Sequence, residues 1–166
     1  MTHTERTDLL ETLAVHRGFL LHTVQGLTDE QARRRTTASE LTLGGLVKHV
    51  AHTERGWADF IERGTAAMEA TEDSWAEQAD SFTLREDETL ADVLAEYADV
   101  AERTDALVES LPSLDAAHPL PEAPWFPAGA TRSARRVFVH IVAETAQHAG
   151  HADILREALD GQKTMG

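Results

Sequence analysis

Apolar residues recur at helical spacing over four long stretches of this chain and rarely alternate with a period of two. Leu9, Leu10, Leu13, Leu20 and Leu21 make the first stripe, in a helix that Thr4 or Thr7 can cap and that runs to about Gln25. "GLTDEQARRR" follows as a turn and a short helix, with Thr28 and Gln31 at capping-box spacing. A second long helix is predicted from about Leu43 to Glu62, ending near Gly64. Periodicity weakens from Thr65 to Arg85, with room for one short helix around Trp75. A third long helix fits "DETLADVLAEYADVAERTDALVESL" and stops at Pro112.

The stretch "PSLDAAHPLPEAPWFPAG" holds all 5 prolines and can be neither helix nor central strand, so it reads as a long ordered crossover. The fourth long helix begins near Thr131 or Ser133 and ends around Asp160 and Gly161. Four long helices with one proline-rich connection predict an all-α four-helix bundle, and sparse β-branched residues predict no strands. With 166 residues, a single domain over 1–166 can bury an adequate core.

The last helix carries the chemistry. In "VHIVAETAQHAGHADILREALDG", taking His140 as origin at about 100° per residue, Glu144 falls near 40°, His148 near 80° and His151 near 20°. Val137, Ile141, Ala152, Leu155 and Leu159 fall between about 60° and 120°, so the ionisable groups overlap the apolar arc. Burying them uncompensated costs several kcal/mol. A metal ion would compensate them, since imidazole and carboxylate are its usual ligands where thiolates are missing. The chain has no cysteine, which excludes disulfides and thiolate ligands. One ion cannot take all of them, because His140 and His151 stand about 16 Å apart along the axis. His140–Glu144, Glu144–His148 and His148–His151 all have workable spacing, and spacing does not choose among them.

The second long helix offers a partner. On its wheel His49 borders the apolar arc of Leu46, Val50, Trp57, Phe60 and Ile61, whereas His52 falls with Lys48 and Asp59 on the expected solvent side. Gly44 and Gly45, one turn earlier, would permit close approach of another backbone or a ligand. Trp57 and Trp125 are expected to be core or pocket lining. His16 and His22 receive no role, and His3 and His118 are expected to be exposed. Arg156 is expected in a surface salt bridge with Asp153 or Asp160.

Charge narrows the function classes. A net charge of −14 opposes a nucleic-acid partner, and the one basic block, Arg33 to Arg35, reads as a solvated helix end. No stretch resembles a signal peptide or a membrane span, so a cytoplasmic protein without a membrane partner is expected.

"LTLGGLVKHVAHTERGW" together with "HIVAETAQHAGHADILREALDG" resembles the DinB superfamily, in the branch of mycothiol-dependent maleylpyruvate isomerase and the mycothiol S-transferases. The resemblance spans nearly the whole chain, "GLTDEQARRR" included. It implies a four-helix bundle with a metal, usually zinc, at one end. Its ligands would be His49, Glu144 and His148, with nickel, iron or manganese as other metals that accept such donors. Many DinB-like proteins use three histidines instead, so Glu144 matches the thiol-dependent branch. His140 and Trp57 become candidates for binding the cofactor, and His151 for proton transfer. The implied activity is a thiol S-transferase or isomerase that uses a low-molecular-weight thiol such as mycothiol on an electrophilic small molecule. A homodimer is implied as well. The alternatives are a non-catalytic stress-response or binding module and a metal-assisted hydrolase.

Overall fold

The computed structural model describes residues 4–68 and 72–164. Thr4 accepts from the Thr7 amide to cap α1, Glu5–His22. This helix ends before the expected Gln25 because Thr23, Val24 and Gln25 turn back onto Leu20, Leu21 and His22, and Gly26 takes a φ of 71°. Thr28 and Gln31 satisfy each other's amides in a capping box on α2, Asp29–Arg33. Thr42 caps α3, Leu43–Arg63, which Gly64 closes. A 3-10 turn, Gly64–Met68, and a short helix α4, Glu72–Asp80, occupy the weakly periodic segment. Thr89 caps α5, Leu90–Ser110. Ser133 caps α6, Ala134–Asp160, and Gly161 ends it in the left-handed region at a φ of 83°.

The chain is predominantly helical, as expected, but not free of strands. Within the proline-rich connection β1, Ala117–Pro119, pairs antiparallel with β2, Thr131–Ser133, setting Ala117 opposite Ser133 and His118 opposite Arg132. Strands of 3 residues are too short to register as alternation, and a sheet of 2 strands has edges that tolerate Pro119. No helix among the described residues is long and apolar enough to cross a membrane.

α1 packs on α6 and α5, and α3 packs on α5 and α6. Two apolar clusters result, one around Leu20, Leu46, Val50, Tyr97 and Leu155, the other around Leu13, Phe60, Val108, Phe138 and Ile141. Polar residues mark the change from one cluster to the other on every long helix: Arg17, Glu54, Thr104 and Thr145 are all buried there. Arg17 donates to Glu54 Oε1 at 2.5 Å and to Asp105 Oδ1 at 2.8 Å.

Three surface expectations are corrected. His118 is half-buried, with Nε2 3.1 Å from the Ile61 carbonyl and its ring edge-on to Phe60, because the β1–β2 pair carries it onto the end of α3. Arg156 does pair with Asp160 at 3.0 Å, yet it is buried, since it also donates to the Thr23 and Gln25 carbonyls that end α1. Arg33 is tied to the Arg85 and Glu88 carbonyls and so docks the end of α2 on the α4–α5 loop. His3 lies outside the described residues.

Candidate metal centre

α3 and α6 bring His49, Glu144 and His148 together, and one ligand atom of each lies within 4.8 Å of the others. Glu144 and His148, one turn apart midway along α6, place Oε2 and Nε2 3.6 Å from each other. A tetrahedral zinc with bonds of ~2.1 Å holds its donors roughly 3.4 Å apart, so only side-chain adjustments separate this arrangement from a coordinating one. His49 and His148 are buried and Glu144 is half-buried.

Both imidazoles are prepared as neutral ligands. Burial, helped by the neighbouring His148, pushes His49 down to about 4. Burial also lowers His148, with His151 contributing. The tautomer of His49 follows from hydrogen-bond accounting. Ser81 Oγ donates to the Gln78 carbonyl at 2.7 Å, so its single proton is used. It can therefore only accept from His49 Nδ1, 3.0 Å away, which leaves Nε2 unprotonated, with Thr53 Oγ1 3.5 Å from it. His148 has its own partner behind it, the His151 Nδ1 at 3.4 Å from its Nδ1. The donor set, the neutral rings and the outer partners together suit a divalent metal with an open position.

Ser81 arrives through the loop after α4, and two features press that loop onto α3. A Cβ on Gly45 would stand 2.0 Å from the Phe82 carbonyl oxygen, so only glycine admits the backbone there. The close approach expected at this glycine is thus with a backbone. Lys48 Nζ then reaches Asp80 and Glu88 at 2.9 Å and the Thr83 carbonyl at 3.0 Å. The loop so held lays the Phe82 ring on His49, stacked with centroids 3.7 Å apart. Neither Ser81 nor Phe82 was legible as a site residue, because the loop has no periodicity to place them.

His140 sits on the other side of Glu144, with Nε2 3.7 Å from Oε1 and its ring 4.9 Å from Trp57, edge to face. Trp57 is buried and walls a cavity of about 540 Å³ that opens onto His49, Thr53, Gly56 and Glu144. That volume suits a small molecule. Trp125, 60 % exposed, stands at the rim of the same cavity. His52 corrects the solvent-side expectation: it is half-buried and lines the cavity, because α4 and the 3-10 turn cover that side of α3. His151 lies next to His148, their Nδ1 atoms 3.4 Å apart, and neither ring is part of the cavity lining. His16 and His22 belong to α1, away from the three donors.

Comparison with known proteins agrees with the DinB-type resemblance of the two helix motifs. No curated protein matches the sequence. The fold is similar to the crystal structure of a "conserved protein of locus" from Enterococcus faecalis, at a TM-score of 0.70 and 14 % identity, over 97 % of this chain and 100 % of that one. At that identity the likeness concerns the fold alone. Residues 8–161 match the family model described as Mycothiol-S-transferase, and the chain belongs to that family.

Proposed function

We propose that this protein is a metal-dependent S-transferase, or an isomerase of the same chemistry, that joins a low-molecular-weight thiol of the mycothiol type to an electrophilic small molecule. We take it as a single DinB-like domain, a four-helix bundle whose proline-rich crossover precedes the last helix. The observation that carries the reading is the convergence of His49, Glu144 and His148, the first two of which line a ligand-sized cavity. A divalent metal there, zinc first and nickel, iron or manganese next, would bind the thiol's sulfur and make it available as thiolate near neutral pH.

The chain's own residues do the rest. Ser81 accepts from His49 Nδ1 and so holds the ring proton there, leaving Nε2 unprotonated as a ligand atom. Glu144, held between His140 and His148, supplies the negative charge of the donor set. His151, whose Nδ1 lies 3.4 Å from His148 Nδ1, is the candidate for proton transfer. Trp57, with His140 behind it, gives the bound thiol or electrophile an apolar wall.

Metal analysis of the purified protein tests the reading, alongside conjugation of an enone with and without added thiol. Stoichiometric metal that is lost in His49→Ala, with turnover only when thiol is present, is the expected result. Absent metal, or metal retained by the variant, defeats the metalloenzyme reading. Thiol-independent turnover of an ester would shift it to a metal-assisted hydrolase.

A further inference from the structure

Among the described residues Arg132 is a cation without a counterion, although the chain has carboxylates to spare. The sequence holds 29 acidic against 15 basic residues, and Arg17, Arg103, Arg135 and Arg156 are each paired with carboxylates. Arg132, on β2, makes no side-chain hydrogen bond or ion pair among the described residues, and its Nη1 is buried without a partner. Its guanidinium instead lies over two rings, 4.7 Å from the Trp57 centroid and 5.5 Å from that of Phe126. Burial and the nearby Arg136 both disfavour its charge. A buried N–H with nothing to donate to is a cost that a native structure rarely keeps without a use.

The position of this cation gives the use. Trp57, on which it stacks, is the wall of the cavity that reaches His49 and Glu144. The same ring meets His140, whose Nε2 is 3.7 Å from Glu144. Arg132, Trp57, His140 and Glu144 thus form one contact chain from the proline-rich connection to the candidate metal donors. Stacking on aromatic faces leaves the edge of a guanidinium open, and that edge offers a planar pair of donors matched to a carboxylate. Half-buried Phe126 flanks it, next to the largely exposed Trp125, so a ligand reaches that edge by passing or shifting the Trp125–Phe126 segment.

We propose that Arg132 anchors a carboxylate of the small molecule bound in this cavity, so that the protein selects anionic ligands over their neutral counterparts. The inference rests on the reading that the cavity holds a ligand, and the carboxylate can belong to the electrophile or to the thiol. Aromatic or unsaturated acids suit it best, since Trp57 and Phe126 flank the cation.

Calorimetric titration of the full chain separates these sources. The probes are cinnamate and cinnamamide for the electrophile, and N-acetylcysteine and N-acetylcysteamine for the thiol. Each is run on metal-loaded and on chelator-treated protein. In at least one pair the acid should bind about tenfold more tightly than its neutral partner, and which pair shows it identifies the carrier of the carboxylate. Arg132→Gln should bring the ratio to near one with its melting temperature unchanged, and Arg132→Lys, which keeps the charge, should retain part of it. A preference that survives Arg132→Gln overturns the proposal. If that preference also vanishes with chelator, the carboxylate sits on the metal and the metal reading stands. Should Arg132→Gln fail to fold, a Lys variant that folds with a reduced preference for the acid supports the anchor, and one that binds as the wild type does overturns it. Equal binding of acid and neutral probe by the wild type, or no binding of either acid, overturns it too, whatever the metal content.

Discussion

His49 can serve as a ligand through Nε2 only while its proton stays on Nδ1, and Ser81 is the residue that keeps it there. Ser81→Ala removes the acceptor and frees the ring to adopt the other tautomer. Outer partners of this kind are worth about 10- to 100-fold in metal affinity, so competition with a colorimetric chelator should show a loss of that size. The melting temperature of the chelated variant should move little, and an unchanged affinity would remove Ser81 from the site. The same ring makes a pH prediction. In chelator-treated protein its folded-state pKa of about 4 lies below the unfolded value of 6.5, because burial disfavours the imidazolium. The neutral ring therefore contributes stability that is full above pH 6.5 and is lost as the pH falls through about 4. The melting temperatures of wild type and His49→Gln should differ by a constant amount above that window, and differ progressively less within it. Sequence could reach His49 and Glu144 because a helix wheel places them on buried arcs. It could not reach Ser81 or Arg132, whose partners come from other parts of the chain.

At the scale of elements, helix boundaries were the most legible feature, because they are local chemistry: Thr28, Thr42 and Ser133 each accept from an amide three residues on. Glycines within a helix were legible only as exceptions, and α3 holds two kinds. Gly45 is needed where the α4–α5 loop crosses, since a Cβ would meet the Phe82 carbonyl at 2.0 Å. Gly45→Ala should lower stability by about 1–3 kcal/mol in urea denaturation, the strain outweighing the better helix propensity. It should weaken metal binding as well, because the displaced loop carries Ser81. Gly56 has nothing within 4 Å of a built Cβ and lines the cavity. Gly56→Ala should therefore stabilise the chain by about 0.5–1 kcal/mol while narrowing the space for a ligand. Opposite signs for the two substitutions are the result to look for; the same sign in both would mean that packing at α3 has been misjudged. The short β1–β2 pair escaped the periodicity argument because 3 residues give no repeat to detect.

Across the whole molecule, the two apolar clusters meet at a polar layer that includes Arg17, Glu54, Thr104 and Thr145, at the same stage of α6 as Glu144 and His148. The amphipathic stripes said nothing of this layer, since Arg17 and Glu54 lie far apart in sequence and only the assembled helices pair them. Glu54 is 1 % exposed and accepts from Arg17 at 2.5 Å, so neither charge is screened by water. Half-exposed Asp105 takes a second guanidinium nitrogen but cannot replace the buried partner. Glu54→Ala leaves the Arg17 charge desolvated and should cost about 3–5 kcal/mol in urea denaturation, as breaking one side of a buried pair does. Replacing both partners, Arg17→Met with Glu54→Leu, removes the unpaired charge along with the pair. That double variant should recover most of the loss, because two hydrophobic side chains need no desolvation and extend the clusters into each other. If the layer were only a stability device, the double variant would hold metal as the wild type does. If it also fixes how α3 faces α6, the double variant should melt at a normal temperature yet bind metal more weakly, because His49 would lose its register against Glu144 and His148.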